Sequence, residues 1–166
     1  MKITDVSTRL IDQYMFVRVD TDEGISGVGE SGAWAFLEAS EAVVETFKRY
    51  LIGQNPLLIE HHWQYMYRCF HFRGAAVMGA LSAIDIALMD IKGKALGVPI
   101  YMLLGGKTNH KLRTYASQVQ FNWGSNLTKQ ELMEPEEYAQ VTLRAMEEGY
   151  DAVKVDPIII PDSSGK

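Results

Sequence analysis

The sequence predicts an α+β domain, a three-stranded antiparallel meander plus helices, followed by one β-α-β segment. Three observations carry this expectation. Residues 2–31 alternate apolar and polar side chains in three runs parted by tight turns. A long stretch from Val77 to Leu96 repeats its apolar residues at helical spacing on two faces. Past about residue 111 the pattern becomes strand, helix, strand.

The meander is expected from Ile3 to Ile11, from Tyr14 to Val19 and from Ile25 to Glu30. Asp22-Glu23-Gly24 joins the last two runs, with glycine supplying the positive φ of a tight hairpin turn, and a very short connection at Asp12-Gln13 joins the first two. Leu37, Val44, Phe47 and Leu51 then fall near helical spacing until Gly53 and Pro56 stop the pattern, and a second helix is expected over about Leu58–Tyr67. In the long helix, Val77, Leu81, Ile84, Leu88, Ile91 and Ala95 form one stripe, while Ala76, Ala80, Ala83 and Ala87 form a second stripe of small residues. Both faces are therefore expected to be buried. Gly97 and Pro99 end it, and Ile100–Gly106 is read as leading the chain away towards a domain boundary near Lys107–Lys111. Residues 1–110 and 111–166 are the two expected domains. In the second, Leu112–Ser117 and Asp151–Asp156 read as strands, and Pro135–Glu148 as a helix with proline in its first turn and Gly149 past its end. Such a unit needs a right-handed crossover and leaves a parallel pair with uncovered faces, so more of this domain is expected than residues 111–166 supply.

Composition narrows the partners. Sixteen Lys and Arg against 21 Asp and Glu give a net charge of −5, with no basic stripe to track a phosphate backbone, so nucleic acid is not expected as a partner. The opening MKITDVSTRL is too charged for a signal peptide or a membrane span, so no membrane partner is expected either. One cysteine, Cys69, forms no internal disulfide and fits a reducing cytoplasm, with a mostly buried small apolar role.

The run Met78-Gly79-Ala80-Leu81-Ser82-Ala83-Ile84-Asp85-Ile86-Ala87-Leu88-Met89-Asp90-Ile91-Lys92-Gly93-Lys94-Ala95-Leu96-Gly97-Val98-Pro99, followed by Leu103-Leu104-Gly105-Gly106, resembles the mandelate racemase and muconate lactonizing enzyme group of the enolase superfamily. Gly27-Val28-Gly29-Glu30 and Leu112-Arg113-Thr114-Tyr115-Ala116-Ser117 are similar to that group in content and order. The resemblance implies an N-terminal capping domain whose early loops close over a substrate, then the first β-α-β segment of an incomplete (β/α)8 TIM barrel. A whole barrel takes about 250 residues. It also implies a cofactor, Mg2+, whose three carboxylate ligands come from the third, fourth and fifth barrel strands, so no metal ligand is expected in this segment. A base abstracts the proton α to a carboxylate, and the metal stabilises the ene-diolate.

The same resemblance marks the site residues. The second barrel strand often ends in Lys-x-Lys, matched here by Lys154-Val155-Asp156. Lys154 would sit near the substrate carboxylate, and residues two apart on a strand point the same way, so Lys154 and Asp156 are the expected catalytic pair. The competing reading is a Lys154–Asp156 salt bridge that satisfies two inward charges. Aspartate at the second position argues against a lysine base here and shifts the expectation to a histidine on a later strand.

Trp34, in the Ser31–Phe36 capping loop, is expected either to cover the substrate or to pack on its own helix. Ser117 would donate a hydrogen bond, and Arg73, in the turn before the long helix, would contact substrate or serve structure alone. The long connection Gln118–Glu134, with Phe121, Asn122 and Trp123, would wall the site or make an oligomer contact. Asp85 and Asp90 lie about 140° apart on their helix and read as structural. His61 and His62, being adjacent, face different sides and do not read as a metal pair.

The expected function is Mg2+-dependent dehydration of a sugar acid, an aldonate or aldarate, to a 2-keto-3-deoxy acid by a cytoplasmic, homo-oligomeric lyase. Its partner is thus a small-molecule carboxylate. A racemase, epimerase or cycloisomerase of the same superfamily is the alternative, for which a second lysine at position 156 is expected. A non-catalytic module used for binding is the alternative of another class.

Overall fold

A computed structural model describes residues 1–32, 36–121 and 132–156. They form two compact units, Met1–Thr108 and Asn109–Lys166.

The first unit begins with three antiparallel strands in the order β1 (Ile3–Ile11), β2 (Tyr14–Thr21), β3 (Ser26–Ser31). Val6 pairs with Val19 and Ile11 with Tyr14, while Val17 faces Gly29 and Val19 faces Gly27 on the other edge of β2. Strict alternation fails at one place. A bulge between Ile3 and Asp5 inserts an extra residue, and this lets Ile3 and Val6, three apart, both point into the core. Asp12 takes the left-handed conformation, φ 52°, in the two-residue turn after β1, a role aspartate tolerates better than branched residues.

Helices α1 (Leu37–Leu51), α2 (Ile59–Arg68) and α3 (Ala75–Leu96) follow. The core gathers Ile3, Val6, Met15, Val17 and Val19 from the sheet with Val44, Phe47 and Leu51 of α1, Met66 of α2 and Ala80, Leu81, Ile84, Leu88 and Ile91 of α3. Each such large side chain taken fully from water contributes about 1.5–3 kcal/mol. The alanine stripe of α3 has a specific purpose. A Cβ on Gly27 would lie 2.0 Å from the Ala87 carbonyl oxygen, and one on Gly29 2.0 Å from that of Ala83. Glycine on β3 and alanine on α3 together let helix and strand backbones meet.

Gly97, φ 68°, closes α3, with Val98 N–H bonded to the Gly93 carbonyl at 3.0 Å. The next segment adds an element to those expected from sequence. Ile100–Leu103 forms a short helix, α4, because Pro99 presets the entry angle and its carbonyl accepts the Met102 N–H at 3.0 Å.

The second unit carries α5 (Pro135–Glu147), whose buried Val141 packs with Val119 and Leu132. Its start is held by a capping box in which the Glu137 carboxylate accepts the backbone N–H groups of Met133 (2.9 Å) and Glu134 (3.1 Å). Those two bonds hold the Glu137 carboxyl below its ordinary pKa. The two full strands expected on either side of α5 reduce to one parallel bridge, Ala116 with Val153. Parallel ladders draw stability from covered faces and neighbouring strands, and among the described residues each segment has only the other. No described helix is long and apolar enough to cross a membrane.

Candidate active site

Ala116 N–H donates to the Ala152 carbonyl at 3.0 Å, and Lys154 N–H donates to the Ala116 carbonyl at 2.8 Å. One residue bonded to two residues that flank its partner is the parallel pattern, so segments 112–117 and 151–156 run the same way. Arg113 and Asp151 mark their beginnings, with the Arg113 Nε 3.1 Å from both Asp151 oxygens. Ser117 lies at the carboxyl end of the first and Lys154 and Asp156 at that of the second, with Gln120 bonded to Asp156. In parallel α/β architectures that carboxyl end is where ligands bind.

The chain turns sharply there. Gln118 adopts a left-handed φ of 60°, and Val119–Phe121 forms a single 3-10 turn. Val119 N–H reaches the Lys154 carbonyl at 3.4 Å, and Val119 is fully buried. Gln120 is 5% exposed, and its amide engages Asp156 twice. Nε2 donates to the Asp156 Oδ2 at 3.2 Å, and Oε1 accepts the Asp156 N–H at 3.4 Å. An ionised carboxylate only accepts and a backbone N–H only donates, so the chemistry itself fixes the amide's orientation. The Leu132 N–H closes the same loop on the Gln120 carbonyl at 2.9 Å.

Lys154 and Asp156 are both exposed, and Ser117, beside Ala116, is half buried. The salt bridge between Lys154 and Asp156 is not formed: among the described residues Lys154 makes no ion pair, and Asp156 is held by Gln120. Sequence reading passed over Gln120. The signal available for it was an amide placed directly between the apolar Val119 and Phe121, where a buried polar group must find a partner. Trp34 lies outside the described residues, as do Asn122 and Trp123 of the long connection.

Arg73 belongs to the first unit. Its Nε donates to the Tyr67 carbonyl at 2.6 Å, and its guanidinium stands 4.1 Å from the Tyr67 ring centre, which stacks on Trp63. It borders an apolar cleft of about 170 Å³ lined by Val43, Phe47, Met66, Phe70 and Phe72. Cys69 corrects the expectation of a buried thiol. It is exposed at the C-cap of α2, where its thiol donates to the Met66 carbonyl at 3.2 Å. His61 and His62 do face different sides, the first exposed and the second buried. Asp90 is structural, accepting Val28 N–H at 3.0 Å and the Lys94 ammonium at 2.7 Å. Burial, with Glu60 nearby, raises the Asp85 pKa. Among the described residues, no group of three or more His, Cys, Asp or Glu side chains is arranged to hold a metal ion.

Known proteins resemble this arrangement over most of its length. Residues 2–105 match the family described as mandelate racemase / muconate lactonizing enzyme, N-terminal domain. A D-galactonate dehydratase of Verminephrobacter eiseniae is 50% identical over 117 residues, and one of Ralstonia pickettii 49% identical over 118. These alignments take in 69% and 70% of this chain but 31% of each relative. The chain thus spans under a third of the length of those curated relatives. A solved enolase-superfamily member from Salmonella Typhimurium superposes with a TM-score of 0.84 at 45% identity, covering 93% of this chain and 42% of that one. An enolase from Pantoea ananatis with bound D-gluconate and Mg superposes with a TM-score of 0.75 at 31% identity, covering 92% and 35%. With the matched family domain running through the meander and α1 to α4, the chain belongs to the mandelate racemase / muconate lactonizing enzyme family of the enolase superfamily.

Proposed function

We propose that this chain is part of a Mg2+-dependent hydro-lyase that dehydrates a sugar acid, an aldonate or aldarate, to a 2-keto-3-deoxy acid. The observation that carries the reading is the strand end where Lys154 and Asp156 stand exposed without pairing to each other. Support comes also from relatives named D-galactonate dehydratase and from the gluconate and Mg bound in the Pantoea enolase. The described residues do not themselves fit a metal site.

The roles follow from charge and donor capacity. Lys154 supplies a cation for the substrate carboxylate, and the attraction is strongest where water is excluded. Asp156, an acceptor when ionised, takes a hydrogen bond from a hydroxyl near that carboxylate. Ser117 offers a further hydrogen bond at the same end. Aspartate in place of a second lysine disfavours the racemase, epimerase and cycloisomerase reading, in which a lysine base occupies this strand. On the same reading the protein is a cytoplasmic homo-oligomer.

The test is an assay of the full-length protein with Mg2+ against a panel of aldonates and aldarates. A 2-keto-3-deoxy product is expected, and α-proton exchange in deuterated water without loss of water would overturn dehydration. Lys154→Met is expected to lower kcat/KM by about ten- to a hundredfold, the effect of losing a charged hydrogen bond, mostly through KM.

A further inference from the structure

We infer that Gln120 is a positioning residue that aims Asp156 at the substrate, an inference that rests on the reading of Lys154 and Asp156 as the substrate-facing strand end. The juxtaposition is specific. Backbone bonding between the two extended segments stops at Val119 N–H and the Lys154 carbonyl, because Gln118 has turned the first segment away. At Asp156 the Gln120 side chain takes over. Its Oε1 accepts the Asp156 N–H as a neighbouring strand's carbonyl would, and its Nε2 grips the carboxylate.

An amide bonded to both the backbone and the side chain of one residue restrains that residue's rotamer. It does so from a place where Gln120 is itself 5% exposed and tied to Leu132 through its carbonyl. Burying an amide is unfavourable unless its donors and acceptors are met, and here the partner that meets them is the exposed carboxylate next to Lys154. An aspartate held in this way presents an oriented acceptor without losing side-chain entropy when substrate arrives. The ligand chemistry it fits is a hydroxyl β or γ to a carboxylate bound by Lys154, as in a polyhydroxy acid. Gln120 thereby sets which hydroxyl geometry the site accepts.

The experiment compares the full-length enzyme with its Q120A, Q120E, D156N and Q120A/D156N variants, using its best sugar acid with saturating Mg2+ from pH 6 to 9. Circular dichroism spectra establish which variants fold. Q120A is expected to raise KM about ten- to a hundredfold with a smaller change in kcat, and D156N to do the same. The double variant is expected to be no worse than either single one, because each weakens the same oriented acceptor, Q120A by releasing it and D156N by removing its charge. Q120E keeps the size of the side chain and serves if Q120A does not fold. Its KM defect should shrink as pH falls, since only a protonated glutamate can donate to Asp156, whereas a role in packing alone leaves the ratio to wild type flat with pH. Wild-type KM in Q120A, or in Q120E at pH 9, additive effects in the double variant, or a flat Q120E profile would overturn the inference while leaving the dehydratase reading intact. A wild-type enzyme that turns over no sugar acid would defeat that reading, and the role of Gln120 with it.

Discussion

His62 is fully buried, and each of its ring nitrogens has one partner. Nε2 lies 2.8 Å from the Asn55 carbonyl, which can only accept, so Nε2 carries the hydrogen of the neutral ring and Nδ1 accepts from the Tyr50 hydroxyl at 2.9 Å. Burial, the largest influence, pulls the His62 pKa below its ordinary value, helped slightly by His61 and opposed by the bond to Asn55. The unfolded chain therefore takes up the proton first as pH falls through about 6.5. This contribution to stability is complete above that pH and is lost as pH falls towards the folded-state pKa, with a slope of at most about 1.4 kcal/mol per pH unit. Urea unfolding at pH 7.5 and pH 5 is expected to show a larger loss for wild type than for His62→Gln. Equal losses would mean that His62 does not titrate on unfolding. The opposite facing of His61 and His62 was legible from their adjacency alone. The Tyr50 hydroxyl and the Asn55 carbonyl were not, because both come to His62 from outside its own helix.

At the scale of elements, the contact of α3 with β3 decides how close the helix sits to the sheet. Gly29→Ala is expected to destabilise the protein by about 1–3 kcal/mol, the range for overpacking a close contact, because the clash is with backbone that cannot rotate away. Gly32→Ala, with nothing within 4 Å of the added carbon, should be near neutral. Chemical denaturation of the two variants checks the contrast, and similar stabilities would refute it. The alanine stripe was legible as a second buried face of the helix, since small residues recur there at helical spacing. The need for glycine at its partners Gly27 and Gly29 was not legible, because period-two spacing says which face a residue occupies and not what lies above it. The bulge at Ile3–Asp5 was likewise invisible: the alternating pattern from Ile3 to Ile11 fits a regular strand equally well.

For the molecule as a whole, burial is uneven. The cluster of sheet, α1, α2 and α3 side chains lies wholly within Met1–Thr108. The described part of Asn109–Lys166 buries Ala116, Val119, Leu132, Val141 and Ala145 as its apolar core. A polypeptide of residues 1–108 is expected to unfold cooperatively, while residues 109–166 alone should give the circular dichroism of a largely unfolded chain, because so small a core cannot offset the entropy of ordering it. A sharp thermal transition in the isolated 109–166 peptide would count against this division.

Local chemistry was enough to set the elements of this protein. Periodicity, proline and glycine placement, and the long Met78–Pro99 run are properties of neighbours along the chain, and they specified the meander, α1, α3, α5 and the family. Other features depended on residues distant in sequence meeting in space. The single bridge at Ala116 and Val153, the freedom of Lys154 from Asp156 and the grip of Gln120 on that aspartate were decided only by the fold. The reason is physical: a side chain's periodicity is fixed by its own backbone, whereas its hydrogen-bond partner is whichever group the folded chain brings within about 3 Å.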